Sequence, residues 1–153
     1  MKSKAIVGIT LGVIISCVMM STRARADEWD QQTKLTFSQP VEIPGRVLPA
    51  GTYWFVLANN DSDRNIVQIF SENWATLYAT VLTVPSERAN PPDDTLLTFA
   101  EDTADGTPAL FKWFYPGERT GHQFEYFKSK ESGLANAMQK TISVSPHGGS
   151  VGF

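Results

Sequence analysis

Nucleophilic catalysis by a serine or threonine requires a base to take its proton, and this 153-residue chain offers only two histidines, His122 and His147. His147 lies in the Gly/Ser-rich stretch Pro146-His147-Gly148-Gly149-Ser150, a poor scaffold for catalytic geometry, and His122 opens an expected strand. The bland reading of His122 is a surface histidine of a hairpin. Oxygen-rich clusters are the next candidates. Asn59-Asn60-Asp61-Ser62-Asp63-Arg64-Asn65 places donors at alternate positions, like the start of an EF-hand calcium loop. Arg64, however, stands where that loop needs glycine and Phe70 where it needs a bidentate glutamate. Glu101-Asp102-Thr103-Ala104-Asp105-Gly106 is no better spaced, so both clusters read as solvated turns. No catalytic residue, metal ligand set or cofactor-binding loop is assigned. The 16 acids single out no glycosidase pair, and no G-x-G-x-x-G or Walker sequence occurs.

Aromatics carry the remaining chemistry. Trp54, Trp74, Trp113 and Tyr115, with Trp29, could form a stacking platform of the kind carbohydrate-binding β-sandwiches use. Trp54 and Trp113 lie inside strand patterns and are expected in the core. Trp74 sits in the polar turn Ser71-Glu72-Asn73-Trp74, where an exposed ligand or partner contact is expected. Trp74, Tyr115 and, despite its strand position, Trp113 are the candidate ligand-binding residues.

The elements that must position them are strands. From about Lys34 to Phe127, short runs of Val, Ile, Thr and aromatics alternate with clusters of Pro, Gly, Asn and Asp. This pattern predicts an all-β fold, a single antiparallel β-sandwich of about seven strands, of immunoglobulin or prealbumin-like type. Pro40 interrupts the first strand, and Leu48-Pro49-Ala50-Gly51 forms a turn into a central strand, Thr52 to Ala58, apolar on both faces. Two hairpins follow. Residues 85–94, with Pro91-Pro92, form a longer loop suited to a Greek-key crossing. Tyr115-Pro116-Gly117-Glu118 fits a type II turn. After Lys130, Leu134, Ala137 and Met138 are spaced for a short helix with Ser132 as N-cap, and Ser145 to Phe153 reads as a loosely held tail.

Ahead of this domain, Lys2 and Lys4, the apolar run Ala5 to Met20 and the small-x-small site Ala24-Arg25-Ala26 read as a secretory signal peptide. Residues 1–26 are thus expected as the signal peptide, 27–130 as the β domain and 131–153 as the tail. The run is shorter than the about 20 apolar residues that span a bilayer, so no transmembrane segment is expected in the mature form. Ile14-Ile15-Ser16-Cys17 resembles a lipobox, making a lipid anchor on Cys17 the alternative to soluble export.

Cleavage after Ala26 would leave 127 residues, enough for one core. It would also remove four of the 13 basic residues, leaving nine against 16 acids, a balance of −7 that disfavours nucleic acid as a partner. The single cysteine would leave with the segment, so no thiol chemistry or intramolecular disulfide is expected.

Phe37-Ser38-Gln39-Pro40-Val41-Glu42-Ile43-Pro44-Gly45, followed by Leu48-Pro49-Ala50-Gly51-Thr52-Tyr53, resembles the opening of small exported bacterial β-sandwich proteins of no established function. Leu77-Tyr78-Ala79-Thr80-Val81 and Phe114-Tyr115-Pro116-Gly117 extend that likeness over about Thr33 to Phe127. More distantly, L-P-x-G-x-Y is similar to a motif of prealbumin-like and collagen-binding B-type modules. Neither resemblance carries functional residues. The expectation is an exported, periplasmic or extracellular, non-catalytic protein that binds a protein or glycan partner. A carbohydrate-binding module is the first alternative and a metal- or carboxylate-dependent hydrolase the second.

Overall fold

Alternation of apolar and polar residues gives β1 (Gln32–Phe37) one buried edge of Thr33, Leu35 and Phe37, while Lys34 and Thr36 face outward. The chain is described by a computed structural model covering residues 31–58, 65–101, 106–145 and 149–152. The expected signal segment, Trp29, Cys17, most of both acidic clusters and His147 lie outside the described residues.

Pro40 ends β1, and the chain resumes as a small hairpin of β2 (Val41–Ile43) and β3 (Arg46–Leu48) around Gly45, whose φ of 83° suits glycine. β4 (Gly51–Leu57), β5 (Ile66–Ser71) and β6 (Leu77–Glu87) then form a meander. β7 (Thr95–Glu101), β8 (Pro108–Phe114) and β9 (Thr120–Phe124) form a second. Helix α1 (Lys128–Asn136) leads into β10 (Gln139–Val144) and β11 (Gly149–Val151).

The strands pair in the order β10-β7-β8-β9-β6-β5-β4-β1-β11, with β2 attached to β8 and β3 to β2. β6 belongs to both layers. Its first part pairs with β5 as far as Leu82, and from Thr83 onward it pairs with β9, so one long strand turns the corner of the sandwich. Residues 88–94 then carry the chain past β9 and β8 to β7, the expected Greek-key crossing. Gly117, at φ 82°, with Glu118 N donating to the Tyr115 carbonyl at 3.2 Å, makes the expected Pro-Gly turn.

Between the layers, Phe37 and Phe55 from one meet Phe99 and Trp113 from the other. Phe37 lies edge-on to Phe99 at 6.4 Å and Phe55 edge-on to Trp113 at 6.5 Å. All four are buried, and interdigitated rings of this size dominate the core.

The fold is all-β and mainly antiparallel, as expected, but among the described residues it has eleven strands rather than about seven. Pro40 divides one expected strand, Arg46–Leu48 adds another, and the expected tail supplies two more. That tail is the main correction. β10 pairs antiparallel with β7 at one end of the sheet order, and β11 pairs in parallel with β1 at the other, burying Val144 and Val151. The terminal segment therefore straps both layers. Their free edges provide unpaired backbone groups that even short strands can satisfy, which the Gly/Ser composition conceals. Ser132 is not the N-cap: Phe127 occupies that position without a side-chain cap, Ser132 lies within the helix, and of the three residues spaced for it only Leu134 falls inside, where it is buried.

Candidate functional site

On the outward face of β1, β4 and β5, cross-strand register brings Lys34 beside Trp54 and Trp54 beside Phe70. Trp54 is thus a half-buried outer-face residue, not the core residue expected from its apolar strand. Tyr53, Phe55 and Leu57 are the core side of that strand. Two apolar faces mimic a strand buried on both sides, but here the outer one is covered only by a turn.

That turn joins β5 to β6 and is held by its own polar atoms. Ser71 N donates to the Thr76 carbonyl at 2.8 Å and Trp74 N to the Ser71 carbonyl at 2.9 Å. Asn73 Oδ1 accepts from Ser71 Oγ at 2.7 Å and from Ala75 N at 3.1 Å, while Thr76 N donates to Ser71 Oγ at 2.9 Å. The network holds Trp74 at φ 62°, a left-handed conformation costly for a bulky side chain.

Held there, the Trp74 ring lies over Trp54 at 5.1 Å between centroids and 26° between planes, and beside Phe70 at 5.2 Å and 40°. Trp54 and Phe70 are cross-strand neighbours on one sheet face, and both pack against the Trp74 indole. The residue remains 46% exposed. Trp54 Nε1 donates to the Glu72 carbonyl at 3.1 Å. Lys34 Nζ lies 5.9 Å from the Trp54 ring centroid and 2.8 Å from Glu72 Oε1. Leu77, opposite Phe70 and half exposed, extends the apolar strip.

Of the three candidate ligand-binding residues, only Trp74 stands at this surface. Trp113 is fully buried, so it is a core residue and no ligand contact; its Nε1 has no hydrogen-bond partner. Tyr115 is half-buried against the core just past β8. The three do not form one row. Trp54, Phe70, Lys34 and Glu72 are the residues that sequence reasoning missed. The detectable signal was Trp54 and Phe70 sharing an outward parity with Lys34, which only strand register reveals.

His122 is buried, not the surface histidine expected, and lines a recess of ≈ 290 Å³ with Gln31, Asn65, Glu118 and Thr120. Thr83 Oγ1 donates to the Asn65 carbonyl at 3.0 Å and lies 3.3 Å from His122 Nδ1. The same Asn65 carbonyl accepts from Thr83 N at 2.7 Å, so backbone and side chain of Thr83 are tied to the start of β5 beside the imidazole. Burial lowers the imidazole pKa to about 4, keeping the ring neutral at pH 7. Burial, reinforced by Glu42, likewise holds Tyr126 protonated, and its hydroxyl donates to the Leu110 carbonyl at 2.9 Å.

Among the described residues, no group of three or more His, Cys, Asp or Glu could hold a metal ion, and no helix is long and apolar enough to cross a membrane. Compared with protein-family models, curated proteins and solved structures, the chain matches none.

Proposed function

We propose that this protein is exported, non-catalytic and acts by binding a partner at the cell envelope or outside the cell, with the Trp54–Trp74 stack as its contact surface. The single observation carrying this reading is that a tryptophan is held at φ 62° with its ring displayed on the outer face. A glycine or asparagine would occupy that turn with less strain, so the strain is tolerated for the ring rather than for the turn. Export rests on the N-terminal charge, apolar run and Ala24-Arg25-Ala26 site, and on the resemblance of the Phe37–Tyr53 motif to small exported proteins.

The test is co-sedimentation of purified exported protein with the envelope fraction of the producing cells. Wild type pelleting with the fraction while Trp74→Gly stays in the supernatant is the expected result. Equal behaviour of the two proteins, or no pelleting of either, would refute the reading. Intact mass of the same material decides between processing after Ala26 and a lipid on Cys17.

A further inference from the structure

We infer that the partner seated on this platform is a carbohydrate: a neutral pyranose ring lies on the outward face of Trp74, and the Lys34–Glu72 pair holds two adjacent hydroxyls. The inference rests on the binding reading above and names its ligand.

Shape gives the first reason. Trp54 and Phe70 pack against the Trp74 ring, which still remains 46% exposed, so flat apolar indole surface stays open to solvent. A pyranose with equatorial substituents presents a complementary flat face of C–H groups, and its hydroxyls radiate in the plane of the ring. Polar groups are therefore needed beside the indole rather than above it.

They are found there. Lys34 and Glu72 form an ion pair of 2.8 Å, with side chains 35% and 61% exposed. The ammonium has further protons and the carboxylate further lone pairs once that contact is made. Of two neighbouring hydroxyls, one can accept from Lys34 while the other donates to Glu72. Thr36, Thr52 and Gln68 lie on the same sheet face, adding hydroxyl and amide groups.

Charge decides between partner classes. The core of a protein–protein contact is depleted in lysine and glutamate, whereas here Lys34 lies 5.9 Å from the Trp54 ring and is paired with Glu72, whose carbonyl accepts from Trp54 Nε1. Lys34 and Glu72 cancel each other locally, and the chain is acidic overall, which disfavours sulfated or uronic polymers. A neutral 1,4-linked glucose-type glycan, with its adjacent 2- and 3-hydroxyls, meets all three conditions. The rigid turn limits the ordering cost of binding, because the ring is held before the ligand arrives.

The experiment titrates exported protein with cellohexaose and with maltohexaose, followed by tryptophan fluorescence and calorimetry. Saturable binding is expected for at least one, lost in Trp74→Gly and weakened at least tenfold in Lys34→Met and Glu72→Gln, with Trp74→Phe recovering part of it. The melting temperature of each variant separates lost binding from lost fold. The same proteins are co-sedimented with envelope before and after periodate oxidation of its sugars. No saturable change up to about 10 mM, tenfold above a Kd of about 1 mM, together with Trp74-dependent, periodate-resistant co-sedimentation, would overturn the glycan and leave the binding reading standing. Periodate-sensitive co-sedimentation with neither hexasaccharide bound would overturn the glucose-type assignment. Co-sedimentation indifferent to Trp74 would remove the binding reading itself.

Discussion

Trp74 lies face to face with Trp54, 5.1 Å apart at 26°, and the contact is made by a residue whose own backbone sits at φ 62°. Side-chain stacking and backbone strain thus oppose each other at one position. The balance can be measured.

Replacing Trp74 by glycine removes the stack and the area it buries but relieves a left-handed strain of about 1–2 kcal/mol. Replacing it by alanine loses the stack and keeps the strain. Trp74→Gly should therefore be more stable than Trp74→Ala by about 1 kcal/mol, a difference of a few degrees in Tm by thermal melting. Equal stabilities would mean that the turn relaxes and stores no strain.

His122 couples stability to pH. Its folded pKa of about 4 lies below the ordinary 6.5, so the unfolded chain binds a proton more readily than the folded one. Stability from this group is complete above pH 6.5 and is lost as pH falls from there toward 4, up to about 3 kcal/mol. Urea unfolding at pH 7 and pH 4.5 should show a smaller loss in His122→Gln than in wild type, because the titrating group is gone while acidic groups common to both remain.

Gly121 stands against the Phe114 ring, where an added Cβ would approach Cδ1 to 2.3 Å. Gly121→Ala should cost about 2 kcal/mol through overpacking. In a Phe114→Leu background the penalty should shrink, and a double-mutant cycle by denaturant unfolding measures that coupling.

The terminal strap makes a sharper contrast. Val151 is fully buried on β11, whereas Met138, just ahead of β10, is 75% exposed. Val151→Ala should destabilise by about 2 kcal/mol and Met138→Ala by no more than about 0.5 kcal/mol. Similar small effects from both in equilibrium unfolding would mean that the segment is the loose tail its composition suggests.

Much of the fold was legible in sequence because strand alternation is local. Leu35 and Phe37, or Tyr53 and Phe55, announce a buried face by spacing alone, and Pro116-Gly117 announces its turn. β11 was not legible. Gly149, Ser150 and Val151 form a strand because β1 presents an open edge, a property of a segment more than a hundred positions earlier in the chain. Trp74 was recognisable as exposed from its polar turn, and Trp113 as core from its strand. Trp54 was misplaced because a residue's period-2 parity tells which neighbours share its face but leaves open whether that face is inside.

By itself, then, the sequence determined the all-β class, most strand positions and the export-like opening. These follow from residue type and near-neighbour spacing. Tertiary structure alone decided that Lys34, Trp54, Phe70 and Trp74 meet on one outward face, and that His122 is buried with Nδ1 3.3 Å from the Thr83 hydroxyl. The reason is physical: which strands become neighbours, and in what register, is set by the packing of two layers and their edges. A polar or aromatic side chain acquires its role only from the groups that this pairing places across from it.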